Sequence, residues 1–235
     1  EKMIVALRKM GYLAYILPVD DNKLRPESFK EALKLRVDGV ISFLVPNRET
    51  VDLSKSNNLP IMLFGRDTAF ENVNVFVVDD IEGGELAAEY LIKKTSTNKI
   101  CYISVPYIEC DKYRFTGFEN IMKANGISDY KVINHKNIEK DIPLLIKEGY
   151  DGFFCFDDEL VNKIMRIFPD GEIKHIVGYN GTSEFFDYMF DFTSVSTDYD
   201  YMIKDALGHF IKIINNLGGE KRVKVLYKPI LHEVN

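Results

Sequence analysis

The sequence predicts an α/β protein made of two doubly wound parallel sheets with a ligand cleft between them. Three observations carry that expectation. Short apolar runs that read as strands alternate almost throughout with segments of helical spacing, the pattern that places helices on both faces of a parallel sheet. The strand runs are near-continuously apolar, as in Gly39–Val45 and Gly152–Phe156, which fits strands covered on both faces. Two of the runs end on a polar side chain, Asp157 after Gly152–Phe156 and Asn180 after His175–Tyr179, and ligands of open parallel sheets sit outside the carboxyl ends of strands. One sheet is expected before about residue 79 and the other after about residue 98.

Taken in order, residues 1–12 read as the end of an amphipathic helix closed by Gly11. Tyr12–Val19 is a strand run. Pro26–Arg36 opens with a proline suited to a helix N-terminus and spaces Phe29, Leu33 and Val37 helically. Strand Gly39–Val45, helix Glu49–Ser56 and strand Pro60–Phe64 follow. Val73–Val78 is a strand, and Ile81–Lys94 a helix in which Gly83 and Gly84 lack the spacing of a phosphate-binding loop and are read as helix packing. Next come strand Ile100–Val105, helix Arg114–Asn125 stopped by Gly126, strand Val132–His135 and helix Ile138–Lys147. The stretch 151–180 holds two strands around a helix at Asp158–Phe168. A short helix at Ser183–Tyr188, a strand at Ser194–Thr197 and a helix at Tyr199–Asn216, punctuated by Gly218 and Gly219, lead to a closing strand or hairpin at Arg222–His232, broken at Pro229.

Composition bounds the function. The 235 residues are 46% apolar and include 16 Phe and 13 Tyr, enough for a sizeable core. The net charge of −6 argues against a DNA-binding surface spread over this chain, because phosphate contact needs clustered Lys and Arg. No apolar run approaches the roughly 20 residues of a membrane span. Cys101, Cys110 and Cys155 are odd in number, and two fall inside strand runs. That fits free thiols in a reducing compartment, the cytoplasm, better than a disulfide framework. The four histidines are scattered, so neither a metal site nor a cofactor is expected. No nucleophile is spaced with a base, so the chain does not read as an enzyme.

The candidate ligand groups each carry two readings. Arg114, at the start of its helix, is either a guanidinium fork facing a ligand or a solvated or salt-bridged helix residue. One of Asp157 and Asp158 can cap the following helix; if Asp158 does so, Asp157 is free to accept from a ligand. Asn180-Gly181 is a plain turn or a ligand contact. Arg66, after a strand end, is a ligand-reaching side chain or a loop residue.

The series VDGVISFLVP, LPIMLFGR, VVDDIEGGELAAEYL, YRFTGF, GFFCFDDELV, HIVGYNG and TSVSTDY, in that order, resembles the effector-binding domain of LacI/GalR bacterial regulators, whose fold is shared with periplasmic sugar-binding proteins. The likeness covers nearly all of the chain. It implies that Arg114 of R-x-x-G-F, Asp157 and Asn180 contact an effector. This chain has Asp where the family's Asn is usual and Asn where its Asp is usual, which still suits a polyol. Of the family's Asp-Arg after a strand only Arg66 carries over, and Thr197 and Tyr199 are further candidates.

The resemblance also implies lobes of 1–78 plus 199–219 and 79–198 plus 220–235, a homodimer, operator DNA as partner and a small-molecule effector, a sugar or derivative. The runner-up reading is a periplasmic or secreted sugar-binding protein of a transport system. Against the family pattern, the helix-turn-helix and the first strand of the N-terminal lobe are missing, so the chain is expected to be a fragment. Direct pairing of Gly39–Val45 with Tyr12–Val19 would count against that expectation.

Overall fold

The computed structural model describes residues 1–19, 23–169, 171–182, 191–215 and 222–234. The chain separates into two compact units, Glu1–Val78 with Asp198–Tyr227, and Asp79–Thr197 with Lys228–Asn235.

In the first unit a four-stranded parallel sheet has the order β1-β2-β3-β9, from β1 (Val40–Ser42), β2 (Ile61–Phe64), β3 (Asn74–Val78) and β9 (Lys224–Tyr227). Its helices are α1 (Lys2–Lys9), α2 (Pro26–Lys34), α3 (Arg48–Ser56) and α8 (Tyr199–Ile214). Side chains alternate across a strand. Ile61, Leu63, Val75 and Val77 therefore join Phe29 and Val51 in one core layer, while Met62, Phe64 and Phe76 meet Met3, Met202 and Phe210 in the other. This two-sided burial is why the strands read as continuous apolar runs.

The second unit holds six strands in the order β10-β8-β7-β6-β4-β5. They are β4 (Ile100–Ser104), β5 (Lys131–Asn134), β6 (Gly152–Cys155), β7 (His175–Tyr179), β8 (Thr193–Ser196) and β10 (Ile230–His232). All pair in parallel except β10, which runs antiparallel to β8. The helices α4 (Asp80–Lys94) and α5 (Glu109–Ala124) cover one layer with Ala88, Leu91, Phe118 and Met122 against Tyr102, Phe154 and Val177. The helices α6 (Ile138–Lys147) and α7 (Asp158–Ile167) cover the other with Ile142, Leu145 and Val161 against Ile103, Phe153 and Cys155. From β4 the chain adds β5 on one side and then β6, β7 and β8 on the other. The order therefore reverses between β4 and β6, and that switch point is where an open α/β sheet leaves a crevice at its carboxyl edge.

Three expectations are corrected. Residues 222–232 form no single strand or hairpin: β9 joins β3 in the first sheet and β10 joins β8 in the second. Lys228 and Pro229 lie between them, and residues 222–227 sit with the first unit rather than the second. The helix carrying Arg114 starts five residues early, at Glu109, because Asp111 anchors its first turn; its carboxylate accepts from Tyr102 Oη (3.0 Å), Ser104 Oγ (2.6 Å) and the Val105 amide (2.9 Å). Tyr12–Val19 forms no strand. Among the described residues β1 pairs only with β2, and no backbone hydrogen bond reaches residues 13–19. Strand propensity expresses a fit to neighbours, and without a ladder the segment lies unpaired. The expected helix at Ser183–Tyr188 and the Gly218-Gly219 stop fall outside the described residues.

The unpaired segment exposes Leu13 (80%), Tyr15 (63%) and Ile16 (74%). Exposed apolar side chains on an unpaired extended segment are an association hazard. In this 235-residue chain Ile16→Lys is expected to change stability by less than about 0.5 kcal/mol and to lower light scattering on concentration. Unchanged scattering would show that association runs through another face.

Candidate functional site

Arg114 sits in the second turn of α5, 6% exposed, and is held on every side. Its Nε donates to Asp80 Oδ1 at 2.9 Å, Nη1 to the Phe156 carbonyl at 2.6 Å and Nη2 to Asn180 Oδ1 at 3.1 Å. The guanidinium lies between two rings, 3.6 Å from the Tyr179 centroid and 4.6 Å from that of Phe156, a stacking a planar cation favours. Burial works against the charge, but Asp80 together with Cys110 and Tyr179 outweighs it, and the pKa ends above the ordinary arginine range. Of the five N–H donors a guanidinium carries, two have no hydrogen-bond partner among the described residues. The salt-bridged alternative and the fork alternative are thus both present in one side chain.

Asn180 follows β7 with φ +96°, a region non-glycine residues seldom adopt. Its amide donates to the Val195 carbonyl at 2.7 Å, and the turn and the inward side chain coexist. With Oδ1 facing Arg114, the Asn180 amide group has no partner among the described residues.

The two Asp-Asp pairs share one logic. Asp79 caps α4, accepting from the Ile81 and Glu82 amides at 3.1 Å each, and Asp80 turns inward to Arg114. Asp157 caps α7, accepting from the Leu160 amide at 2.8 Å, and Asp158 turns inward. In each pair the first residue has the extended backbone of an N-cap and the second begins the helix. Of the two possible caps it is Asp157, not Asp158, that takes the role. Asp157 spends one oxygen on the cap and keeps the other.

Asp158 is fully buried. It accepts from Ser194 Oγ at 2.6 Å and from the Thr182 amide and hydroxyl at 2.6 and 3.1 Å. Those partners flank Asn180-Gly181, so Asp158 braces the turn that presents Asn180. Burial raises its pKa; the hydrogen bonds from Ser194 and Thr182 oppose the rise, and the Asp157 charge adds to it. A carboxyl that is more basic folded than unfolded binds protons preferentially in the folded state. Its contribution therefore grows more favourable as pH falls from neutral through the folded pKa toward the unfolded value. Asp158→Asn, which keeps the shape, is expected to remove this gain between about pH 7 and 4. Asp158→Ala is expected to cost about 1–3 kcal/mol more than the amide by stranding buried donors. Urea unfolding of the three chains at several pH values checks both, and parallel pH profiles for wild type and Asp158→Asn would refute the titration.

Of the other expected site residues, Thr197 follows β8 and donates its hydroxyl to the Lys228 carbonyl at 2.9 Å. Arg66 and Tyr199 belong to the first unit, both half-buried; Tyr199 packs on the core layer of Met202 and Phe210. The structure brings Arg114, Asn180 and the end of β6 together. Asp80 was missed, and Asp158 read only as a possible cap, because an acidic pair at a helix start reads as capping twice over, although only one of two neighbours can be the cap.

The constellation lies at the β4/β6 switch point of a parallel sheet and offers donors and acceptors with no assembled nucleophile and base. Among the described residues no cluster of His, Cys, Asp or Glu suits a metal. The chain has the type I periplasmic-binding-protein-like fold, and this edge of the second sheet is its candidate site.

Solved structures with that fold include a LacI transcriptional regulator from Rhodococcus (TM-score 0.81, 18% identity, 99% of this chain and 90% of that one). Another is a LacI family regulator from Enterococcus faecium with bound ribose (TM-score 0.81, 16% identity, 99% and 90%). A third is the transcriptional regulator CelR in complex with cellobiose (TM-score 0.77, 17% identity, 98% and 75%). By sequence the chain is similar to the HTH-type transcriptional regulator DegA of Bacillus subtilis strain 168, 26% identical over 191 residues. That match takes in 74% of this chain and 57% of that protein, so the chain spans little more than half of the relative's length. No family model matches. The resemblance to LacI-type regulators read from the seven motifs holds in fold, and by sequence the chain is similar to a transcriptional regulator.

Proposed function

We propose that this chain is the effector-sensing domain of a DNA-binding transcription regulator and that it binds a small polar ligand, a sugar or sugar derivative. The observation that carries the reading is the Arg114 guanidinium, stacked on Tyr179, pinned by Asp80 and Asn180 and still holding two unused donors at the carboxyl edge of the second sheet. A purely structural arginine gains nothing from an unpartnered Asn180 amide beside it. Asp157 adds an acceptor, and Arg66, Thr197 and Tyr199 are carried with them as proposed contacts.

The likeness to DegA supports a regulator over a transport protein, and the sugars named with the fold's neighbours support the ligand class. The chain acts in the cytoplasm as a homodimer, reaches operator DNA through a module outside these residues and performs no catalysis. Among the described residues no helix is long and apolar enough to cross a membrane.

For such a device the ligand must favour one state of the regulator over another. A thermal-shift screen of sugars is the test. A specific ligand at about 100 times its Kd adds about 2.7 kcal/mol of stability by mass action, and Arg114→Lys should weaken it at least tenfold. A panel of sugars in which none moves the melting temperature would remove the reading.

A further inference from the structure

The charges around Arg114 carry the assignment of ligand class one step further. The one cation of the constellation, Arg114, is already paired with Asp80 at 2.9 Å, and two further acidic residues, Asp157 and Asp158, directly follow Phe156, whose carbonyl it also holds. The usual anion-binding features of such an edge are occupied by the chain itself. Helix N-termini attract phosphate and carboxylate through unsatisfied amides. At α4 those amides are taken by Asp79, and at α7 one is taken by Asp157. The first turn of α5 carries Glu109 and Asp111.

What is left over is mixed in character. Two N–H groups of Arg114 and the amide of Asn180 can donate, and the second oxygens of Asp80 and Asp157 can accept. A hydroxyl both donates and accepts, so neighbouring hydroxyls can satisfy this set, whereas a phosphate or carboxylate can only accept and would face uncompensated negative charge.

We infer that the site takes an electrically neutral polyhydroxy compound, excludes sugar phosphates and sugar acids, and owes this exclusion to Asp80. The inference rests on the proposed effector-binding function. The consequence is that the regulator would report a free sugar, the substrate of a phosphorylating or oxidising step rather than its product.

The test titrates the chain calorimetrically with two matched arms. One holds neutral mono- and disaccharides, including ribose, xylulose and cellobiose; the other holds the corresponding phosphates and uronic acids. Binding is expected in the neutral arm alone, and nearly independent of salt up to about 0.5 M, because no ion pair with the ligand is there to be screened. Asp80→Asn is expected to narrow the preference for neutral over anionic members by at least about tenfold. Tightest binding by an anionic member, strong salt dependence of the best ligand, or an unchanged preference in a folded Asp80→Asn chain would overturn the inference while leaving the effector-binding reading intact. Silence in both arms would remove the two together. Should Asp80→Asn fail to fold, the two-arm comparison and the salt series on the unaltered chain decide alone.

Discussion

Arg114→Ala is expected to destabilise the second unit by about 3–5 kcal/mol, the range for breaking a buried ion pair from one side, as well as to abolish ligand binding. The salt-bridged alternative left open by the sequence carries this cost. The Asp80 side chain is only 10% exposed and loses the one hydrogen-bonded partner it has among the described residues. The Phe156 carbonyl and Asn180 Oδ1 each lose a donor. The space between the Tyr179 and Phe156 rings empties. Removing both charges is the informative control. Arg114→Met together with Asp80→Leu takes away the stranded carboxylate and refills part of the volume, and is expected to recover most of the stability but none of the binding. Urea unfolding of the single and paired variants gives the coupling directly. A cost below about 1 kcal/mol for Arg114→Ala would mean that Asp80 is hydrated rather than buried, and the charge-compensated description of the site would fall with it.

How far the sequence anticipated this arrangement depended on whether a feature is local. Helices such as Pro26–Lys34 and Ile138–Lys147 were legible because a 3.6-residue apolar spacing is written within one segment. Central strands such as β2 and β6 were legible because both faces are covered and the run is apolar throughout. Strand pairing is not local. Nothing between Arg222 and His232 states that β9 and β10 belong to different sheets, and Pro229 marked the break without its meaning. Tyr12–Val19 has the composition of a strand, but a strand exists only with a neighbour to bond.

The site was half legible for the same reason. Arg114 and Asn180 stood out at the start of a helix and the end of a strand, whereas Asp80 lies 34 residues before Arg114 and meets it only through the packing of α4 on α5. Asp158 was visible only as one of two possible caps, since the backbone conformation that separates a cap from the first helical residue cannot be seen in the letters DD.

That packing of α4 on α5 gives the second large effect. Gly117→Ala is expected to destabilise the unit by about 1–3 kcal/mol or more and to weaken ligand binding although the residue touches no ligand. Residues three apart share a helix face, so Arg114 and Gly117 of R-x-x-G-F both look toward α4. A Cβ at Gly117 would overlap the Ile81 carbonyl oxygen and lie 2.9 Å from the Glu85 amide nitrogen; one at Gly84 would overlap the Arg114 carbonyl. Both obstacles are backbone, which has no rotamer by which to yield, so the helices must move apart. Asp80 begins α4, and the 2.9 Å bond to Arg114 stretches with the separation.

Glycine in a helix interior otherwise costs about 0.8–1.0 kcal/mol against alanine, and the sign of the change therefore reports the contact. Gly208, in α8, has nothing within 4 Å of where a Cβ would stand, and Gly208→Ala should stabilise by about that amount. Opposite signs at 117 and 208 in parallel urea melts would establish that the glycine of the motif holds two helices close enough for the arginine to meet its carboxylate. Equal and stabilising effects would reduce Gly117 to an ordinary helical position and leave the Asp80–Arg114 distance without its cause.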